Sequence, residues 1–316
     1  MTFWKDKVVL VTGGHGFVGT HVVQMLKKKE HTVVHYPSRY DYNLTVERDV
    51  DLMFQHLRPN VVIHLAGKVG GIAANKSEPG TFFYDNIMMG TLVLEYARRY
   101  GVQKTVALAA GCGYPLDLAV PYTENDFWNG LPQEESMGYS MGKKMLIVQS
   151  WTYRAQYGFD SSILLPANLY GPNDNFDLEK SHVVPALIRK FLDAKQNNLP
   201  SVEVWGTGNA TREFLYVEDT AQAILDVAEK FNHSGPLNLG TGTETSVKEL
   251  VETIVELVGY EGEIMWNTDR PDGQPRRFYC MERFRKHMGY VPSTSLREGL
   301  EKTIDWYLNS SDKKRL

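Results

Sequence analysis

A short apolar run, Val8-Val9-Leu10-Val11, leads directly into Gly13-Gly14-His15-Gly16-Phe17-Val18-Gly19, and no other stretch constrains the fold of this chain as strongly. A buried strand that ends on spaced glycines and passes into a helix is the opening of a βαβ unit. Gly13 permits the tight turn, Gly16 lets the backbone approach a pyrophosphate, and Gly19 allows the helix to pack close on the sheet. Phe17 and Val18 begin that helix, whose unpaired N–H groups and partial positive charge suit an anion. A ligand-free structural turn explains the run less well, given the strand before it and the helix after it. His15 either faces the phosphate or is solvated.

The alternation continues downstream. Segments 32–34, 60–66, 105–109 and 161–165 read as strands, and 17–29, 46–57, 86–100 and 137–157 as helices. This predicts an α/β fold with a Rossmann-type doubly wound parallel sheet. Past Pro166 the chain turns rich in Gly, Pro, Asn and Asp over 170–180, which is loop chemistry. A helix at 184–194 and a strand at 202–205 follow, and 214–217 is expected to lead back to the large sheet. The expected division is a dinucleotide-binding unit of 1–170 plus about 212–242, and a smaller, discontinuous substrate unit of about 171–211 and 243–316. Positions 309–316 read as a polar, solvated tail.

The 316 residues, 42% of them hydrophobic, suffice for a full core. A net charge of −4 argues against nucleic-acid or anionic-membrane partners. Two cysteines, Cys112 and Cys280, make no disulfide framework and suit a reducing compartment. No apolar run approaches the length of a membrane span, and the first residues run straight into a strand. A cytoplasmic enzyme without a leader, and without a metal, is the expectation.

The chemistry is concentrated in Tyr139-Ser140-Met141-Gly142-Lys143. A tyrosine and a lysine four apart share one face of a helix. There the ammonium is expected to lower the phenol's pKa, making it a general acid/base beside a nicotinamide ring. The pair alone is weak evidence; behind a glycine turn it points to a dehydrogenase-type site. The second strand ends in His35-Tyr36-Pro37-Ser38-Arg39, with no acid for the ribose hydroxyls of NAD. Arg39 suits a 2′-phosphate, so NADP(H) is favoured, the alternative being a plain surface arginine.

At this point the chain resembles the extended short-chain dehydrogenase/reductases and, within them, the GDP-L-fucose synthase group. The matching runs are Ala66-Gly67-Lys68-Val69-Gly70-Gly71-Ile72, Asn168-Leu169-Tyr170-Gly171-Pro172, Asp174-Asn175-Phe176, Ser181-His182-Val183-Val184-Pro185, Val204-Trp205-Gly206, Arg212-Glu213-Phe214-Leu215 and Pro271-Asp272-Gly273-Gln274-Pro275-Arg276. The resemblance implies that Tyr139 protonates a sugar C4 oxygen as hydride arrives, that Lys143 and Ala66 lie at the cofactor, and that Cys112 and His182 form an epimerising pair. It implies that Asn168, Lys190, Trp205 and Arg212, with Arg277 as a weaker candidate, hold the nucleotide sugar. Guanine is implied by the resemblance alone, as is a homodimer paired through the helices at 86–100 and 137–157, where Met88, Leu92, Met145 and Ile147 offer apolar surface.

One departure stands out. The family carries a serine on the loop after the fourth strand, against the sugar's C4 oxygen, and that position here is Ala110, followed by Gly111. Losing a donor aimed at a developing alkoxide costs a few kcal/mol. The leading expectation is an NADPH-dependent 4-reductase with C3/C5 epimerase activity on a GDP-4-keto-sugar. The alternative is a nucleotide-sugar epimerase or plain 4-ketoreductase on another GDP-hexose or GDP-heptose. A dinucleotide-sensing protein without activity is disfavoured by the joint presence of Tyr139, Lys143, Cys112 and His182.

Overall fold

The computed structural model describes residues 3–178, 181–270 and 272–310. β1 (Val8–Thr12) passes through α1 (Phe17–Lys27) to β2 (Val33–His35), then through α2 (Glu47–Leu57) to β3 (Val61–His64). α3 (Ile72–Ser77) and α4 (Pro79–Arg99) lead to β4 (Lys104–Leu108), and α5 (Met137–Tyr157) to β5 (Ser161–Pro166). Next come β6 (Asn168–Tyr170), α6 (Val183–Gln196), β7 (Ser201–Trp205), β8 (Thr211–Arg212) and β9 (Phe214–Tyr216). α7 (Val217–Lys230) returns the chain to β10 (Leu237–Leu239). β11 (Thr245–Ser246), α8 (Val247–Val258), β12 (Glu263–Asn267), β13 (Arg276–Arg277), α9 (Glu282–Met288) and α10 (Leu296–Asn309) complete it.

The main sheet has six strands in the order β10-β5-β4-β3-β1-β2, all paired in parallel. Winding reverses between β1 and β3, and the crevice at their C-terminal ends is where doubly wound sheets take ligands. Helices cover both faces, so the inner strands are nearly unbroken apolar runs. Val9, Leu10, Val11, Val61, Val62 and Ile63 are wholly buried. α4 begins at Pro79 rather than at 86, because proline fits a first helical position whose N–H has no partner anyway.

A second apolar core gathers Ile188, Phe191, Val202, Val204, Leu250, Ile254 and Leu300. It lies among α6, α8, α10 and the paired strands β7 and β12. Some expected assignments change. Tyr279, Met281, Phe284 and Met288 join the first core, because α9 packs on β10 and α7. Leu92 and Ile147 are not spare surface: both are buried in the first core, and Met88 and Met145 are half-buried. α10 runs on through Asn309, and the expected tail past 310 lies outside the described residues. Among the described residues no helix is long and apolar enough to cross a membrane.

Candidate active site

At the β1–β3 crevice the glycine turn is forced by contact. Gly13 has φ +73°, and a Cβ there would fall 2.7 Å from the Ala66 nitrogen. A Cβ on Gly19 would meet the Gly13 carbonyl oxygen at 2.1 Å. Gly16 is exposed and caps α1 without a side-chain bond, so the first-turn N–H groups have no capping acceptor. Half-buried Phe17 and Val18 pack that turn of α1 against the second core. Behind the turn, Thr12 and His64 are register partners joined by a 2.8 Å hydrogen bond. Burial, then the nearby Lys143 charge, lowers the His64 pKa to about 3, so that imidazole is neutral.

Tyr139 and Lys143 share one face of α5, as their spacing predicts. Lys143 is only 3% exposed; its Nζ donates to the Ala66 carbonyl at 3.1 Å, and no carboxylate pairs with it among the described residues. Burial lowers its pKa to about 8. An ammonium with one donor on a backbone carbonyl has two more for a diol. With the glycine turn opposite, these residues fit a dinucleotide. Asn86 braces the same loop, accepting from Lys68 N at 3.1 Å and donating to the Lys68 carbonyl at 3.0 Å.

One expectation fails here. Lys143 does not lower the phenol's pKa, because its ammonium turns to the Ala66 carbonyl. Burial, and then Cys112, instead holds Tyr139 above the ordinary tyrosine range. At the end of β2, exposed Arg39 donates to the Tyr40 hydroxyl at 3.1 Å and lies over that ring at 5.0 Å, with no carboxylate paired to it among the described residues. Asp41, which the sequence reading passed over, accepts the Ser38 N–H and hydroxyl at 2.8 Å each. Those bonds hold its pKa below the usual carboxylate range.

At the other end, Cys112 sits in the 3₁₀ turn Gly111–Gly113 that follows β4. The Ser140 hydroxyl lies 3.1 Å from its Sγ and 3.2 Å from its carbonyl oxygen. Buried Lys144 donates to the Gly113 carbonyl at 3.3 Å, with its charge 4.6 and 4.7 Å from the Phe127 and Trp128 ring centroids. A cleft opens beside this turn, lined by Cys112, Tyr114, Tyr122, Gln133, Gln274 and Arg277.

Arg212 and Arg277 are register partners on β8 and β13. Burial, and then Arg277, lowers the Arg212 pKa. Burial also opposes the Arg277 charge, but Tyr279, Cys112 and Tyr122 outweigh it and raise that pKa. Neither guanidinium has a carboxylate ion pair among the described residues, and Arg212 Nη1 donates to the Thr211 carbonyl at 2.7 Å and the Gln274 carbonyl at 2.5 Å, an arrangement able to take an anion.

The remaining candidates are less convergent. Asn168 donates to the Glu213 carbonyl at 3.2 Å, and Lys190 to the Glu203 carbonyl. Trp205, 61% exposed, carries the Arg270 guanidinium 5.0 Å from its ring centroid, with its N–H on Glu203 at 3.2 Å. His182 is the N-cap of α6 and is accessible to solvent, yet surrounding protein holds its pKa below the ordinary value. No hydrogen bond or ion pair joins it to Cys112 among the described residues.

The family model described as NAD dependent epimerase/dehydratase matches residues 9–240. The chain belongs to this family. Its family relatives include GDP-L-fucose synthase 1 of Arabidopsis thaliana, 37% identical over 306 residues, covering 97% of this chain and 94% of the relative. A GDP-L-fucose synthetase from Naegleria fowleri, solved bound to NADP, aligns with TM-score 0.90 at 28% identity, covering 100% of this chain and 98% of that one. A GDP-6-OMe-4-keto-L-xylo-heptose reductase from C. jejuni aligns with TM-score 0.89 at 27% identity, covering 96% and 97%. In this member of the epimerase/dehydratase family, the sequence reading missed Ser140, Lys144 and Tyr279. Ser140 was visible within the tyrosine–lysine motif, but its bond to Cys112 follows only from packing; nothing in the spacing marks the other two.

Proposed function

We propose that the protein is an NADPH-dependent 4-reductase of a GDP-4-keto-sugar of the GDP-4-keto-6-deoxymannose type, and that it epimerises C3 or C5 in the same cleft. The observation that carries this is the meeting of Tyr139, buried Lys143 and Cys112 at the mouth of the glycine turn, supported by the likeness to GDP-sugar enzymes over nearly the whole chain. The cofactor is NADP(H), which when bound supplies the hydride. The turn at Gly13, Gly16 and Gly19 and the start of α1 hold its pyrophosphate, Arg39 its 2′-phosphate, and Lys143 its nicotinamide ribose. In this division the first core carries the cofactor and the second most of the nucleotide sugar.

Tyr139 stays protonated through the neutral range and hands its proton to the C4 oxygen as charge develops there. An alkoxide is a stronger base than a phenolate, so the transfer runs downhill even from a phenol of raised pKa. Cys112 and His182 exchange protons at the carbons that the C4 ketone acidifies. Arg212 and Arg277 seat the diphosphate, Trp205 stacks on the base, and Asn168 and Lys190 orient the groups beside them. Two copies pair through α4 and α5, which light scattering at micromolar concentration tests as a dimer mass.

Incubation with GDP-4-keto-6-deoxymannose and NADPH in deuterated water tests the whole reading. Loss of NADPH absorbance reports reduction, and deuterium at C3 or C5 reports epimerisation. Constant absorbance sinks the reductase; reduction without deuterium sinks the epimerase half. One observation favours a second reading, a plain 4-ketoreductase on another GDP-hexose or GDP-heptose. Ala110 and Gly111 leave the Cys112 loop without the hydroxyl expected at the sugar's C4 oxygen.

A further inference from the structure

We propose that Tyr279 is a positioning residue for the sugar end of the cleft: its hydroxyl, wedged against Gly111, sets the Arg277 guanidinium beside Cys112. The proposal rests on the reading of this cleft as a GDP-sugar site. Three polar atoms converge where a side chain at position 111 would begin: Tyr279 Oη at 1.8 Å, the Pro166 carbonyl oxygen at 2.7 Å and Arg277 Nη2 at 3.1 Å from the Cβ position. Only glycine fits there while the phenol is in place. The hydroxyl donates to the Pro166 carbonyl at 3.3 Å, which leaves its lone pairs for the guanidinium whose Nη2 converges on the same point. Burial raises the phenol's pKa to about 12, so the proton stays on it.

Tyr279 is itself held from behind. Its backbone N–H donates to Glu213 Oε2 at 2.9 Å, and the same carboxyl accepts from Gly242 N at 2.6 Å. Its ring packs on Tyr114 at 5.4 Å. Arg277 has no carboxylate ion pair among the described residues to orient it, and it lines the cleft together with Cys112. Held by Tyr279, it offers N–H donors to a sugar oxygen beside a loop in which Ala110 and Gly111 carry no hydroxyl.

Tyr279→Phe keeps the ring and removes the hydroxyl. Steady-state kinetics should show KM for the GDP-4-keto-sugar rising about tenfold, as for a lost bond to a charged group, with NADPH affinity and Tm unchanged. In an Arg277→Met background the same change should cost nothing further, because the hydroxyl acts through the guanidinium. Additive losses, a wild-type KM, or a fall in Tm and NADPH affinity alongside KM would overturn the proposal and leave the parent reading intact. A wild-type protein that neither binds nor reduces GDP-4-keto-sugars overturns the parent reading, and this proposal with it.

Discussion

Gly13, Gly16 and Gly19 shape the proposed cofactor end of the cleft almost entirely with backbone, inside one strand–turn–helix unit, whereas the proposed sugar end draws Cys112, Ser140, Arg212 and Arg277 from four separate segments. The first end is defined by what a side chain would collide with, and the second by which side chains meet. A backbone site tolerates almost no substitution at its glycines but asks little of its surroundings. A side-chain site tolerates local change but depends on the packing of distant elements. The difference predicts unequal sensitivities.

The largest effect should come from the one atom that bridges the two ends. Tyr139→Phe should lower kcat about a thousandfold, the middle of the range for a lost general acid, without changing NADPH affinity measured by fluorescence. A variant with near-normal turnover would mean that the proton comes from elsewhere.

Gly13→Ala comes next, and it separates contact from mere glycine content. The positive φ and the 2.7 Å approach to Ala66 should cost about 2–3 kcal/mol in urea denaturation and abolish NADPH binding. Gly71→Ala is the control, since a Cβ there has nothing within 4 Å. Equal losses in the two variants would break the contrast drawn above.

Lys143 yields a pH test with opposite signs for activity and stability. Its pKa, lowered from 10.5 to about 8 by burial, means that the cation is present below pH 8 and lost above it. Hydride transfer should therefore decline as pH rises through about 8. A base whose folded pKa lies below its unfolded value penalises folding fully below the folded pKa. The unliganded protein should accordingly gain stability between pH 8 and 10.5. Lys143→Met should remove that gain, raise Tm at pH 7 and abolish turnover. A flat stability profile across the window in the wild type would contradict the buried, unpaired ammonium.

The smallest effect belongs to exposed Arg39. Arg39→Ala should cut the preference for NADPH over NADH about tenfold, the worth of one exposed guanidinium–phosphate contact, and leave Tm unchanged. Loss of NADH affinity in parallel would show that Arg39 serves the turn rather than the 2′-phosphate.

Much of the fold was legible because its determinants are local. The run 8–11, the glycine spacing and the apolar periodicity of 137–157 act within a few residues, where backbone geometry dictates neighbours. The start of α4 was less legible, since Pro79 looks like a breaker unless it is recognised as a first helical residue. Two of the four residues read as pairing surface, Leu92 and Ile147, are buried within the chain for a similar reason: an apolar face does not say whether its own chain or a second one covers it. The fate of Tyr279, expected in the smaller unit, turned on α9 folding back onto β10 and α7.

By itself the sequence determined the parallel sheet, the glycine turn at its switch point and the tyrosine–lysine face of α5, because each is set by spacing within a single element or βαβ unit. Only the tertiary structure decided that the Lys143 ammonium turns to Ala66 rather than to Tyr139, that Arg212 lies beside Arg277 through the β8–β13 register, and that Tyr279 closes on Gly111 from far along the chain. Those outcomes depend on which distant segments pack together and which charges burial leaves without partners, and no local dihedral preference or periodicity carries that information.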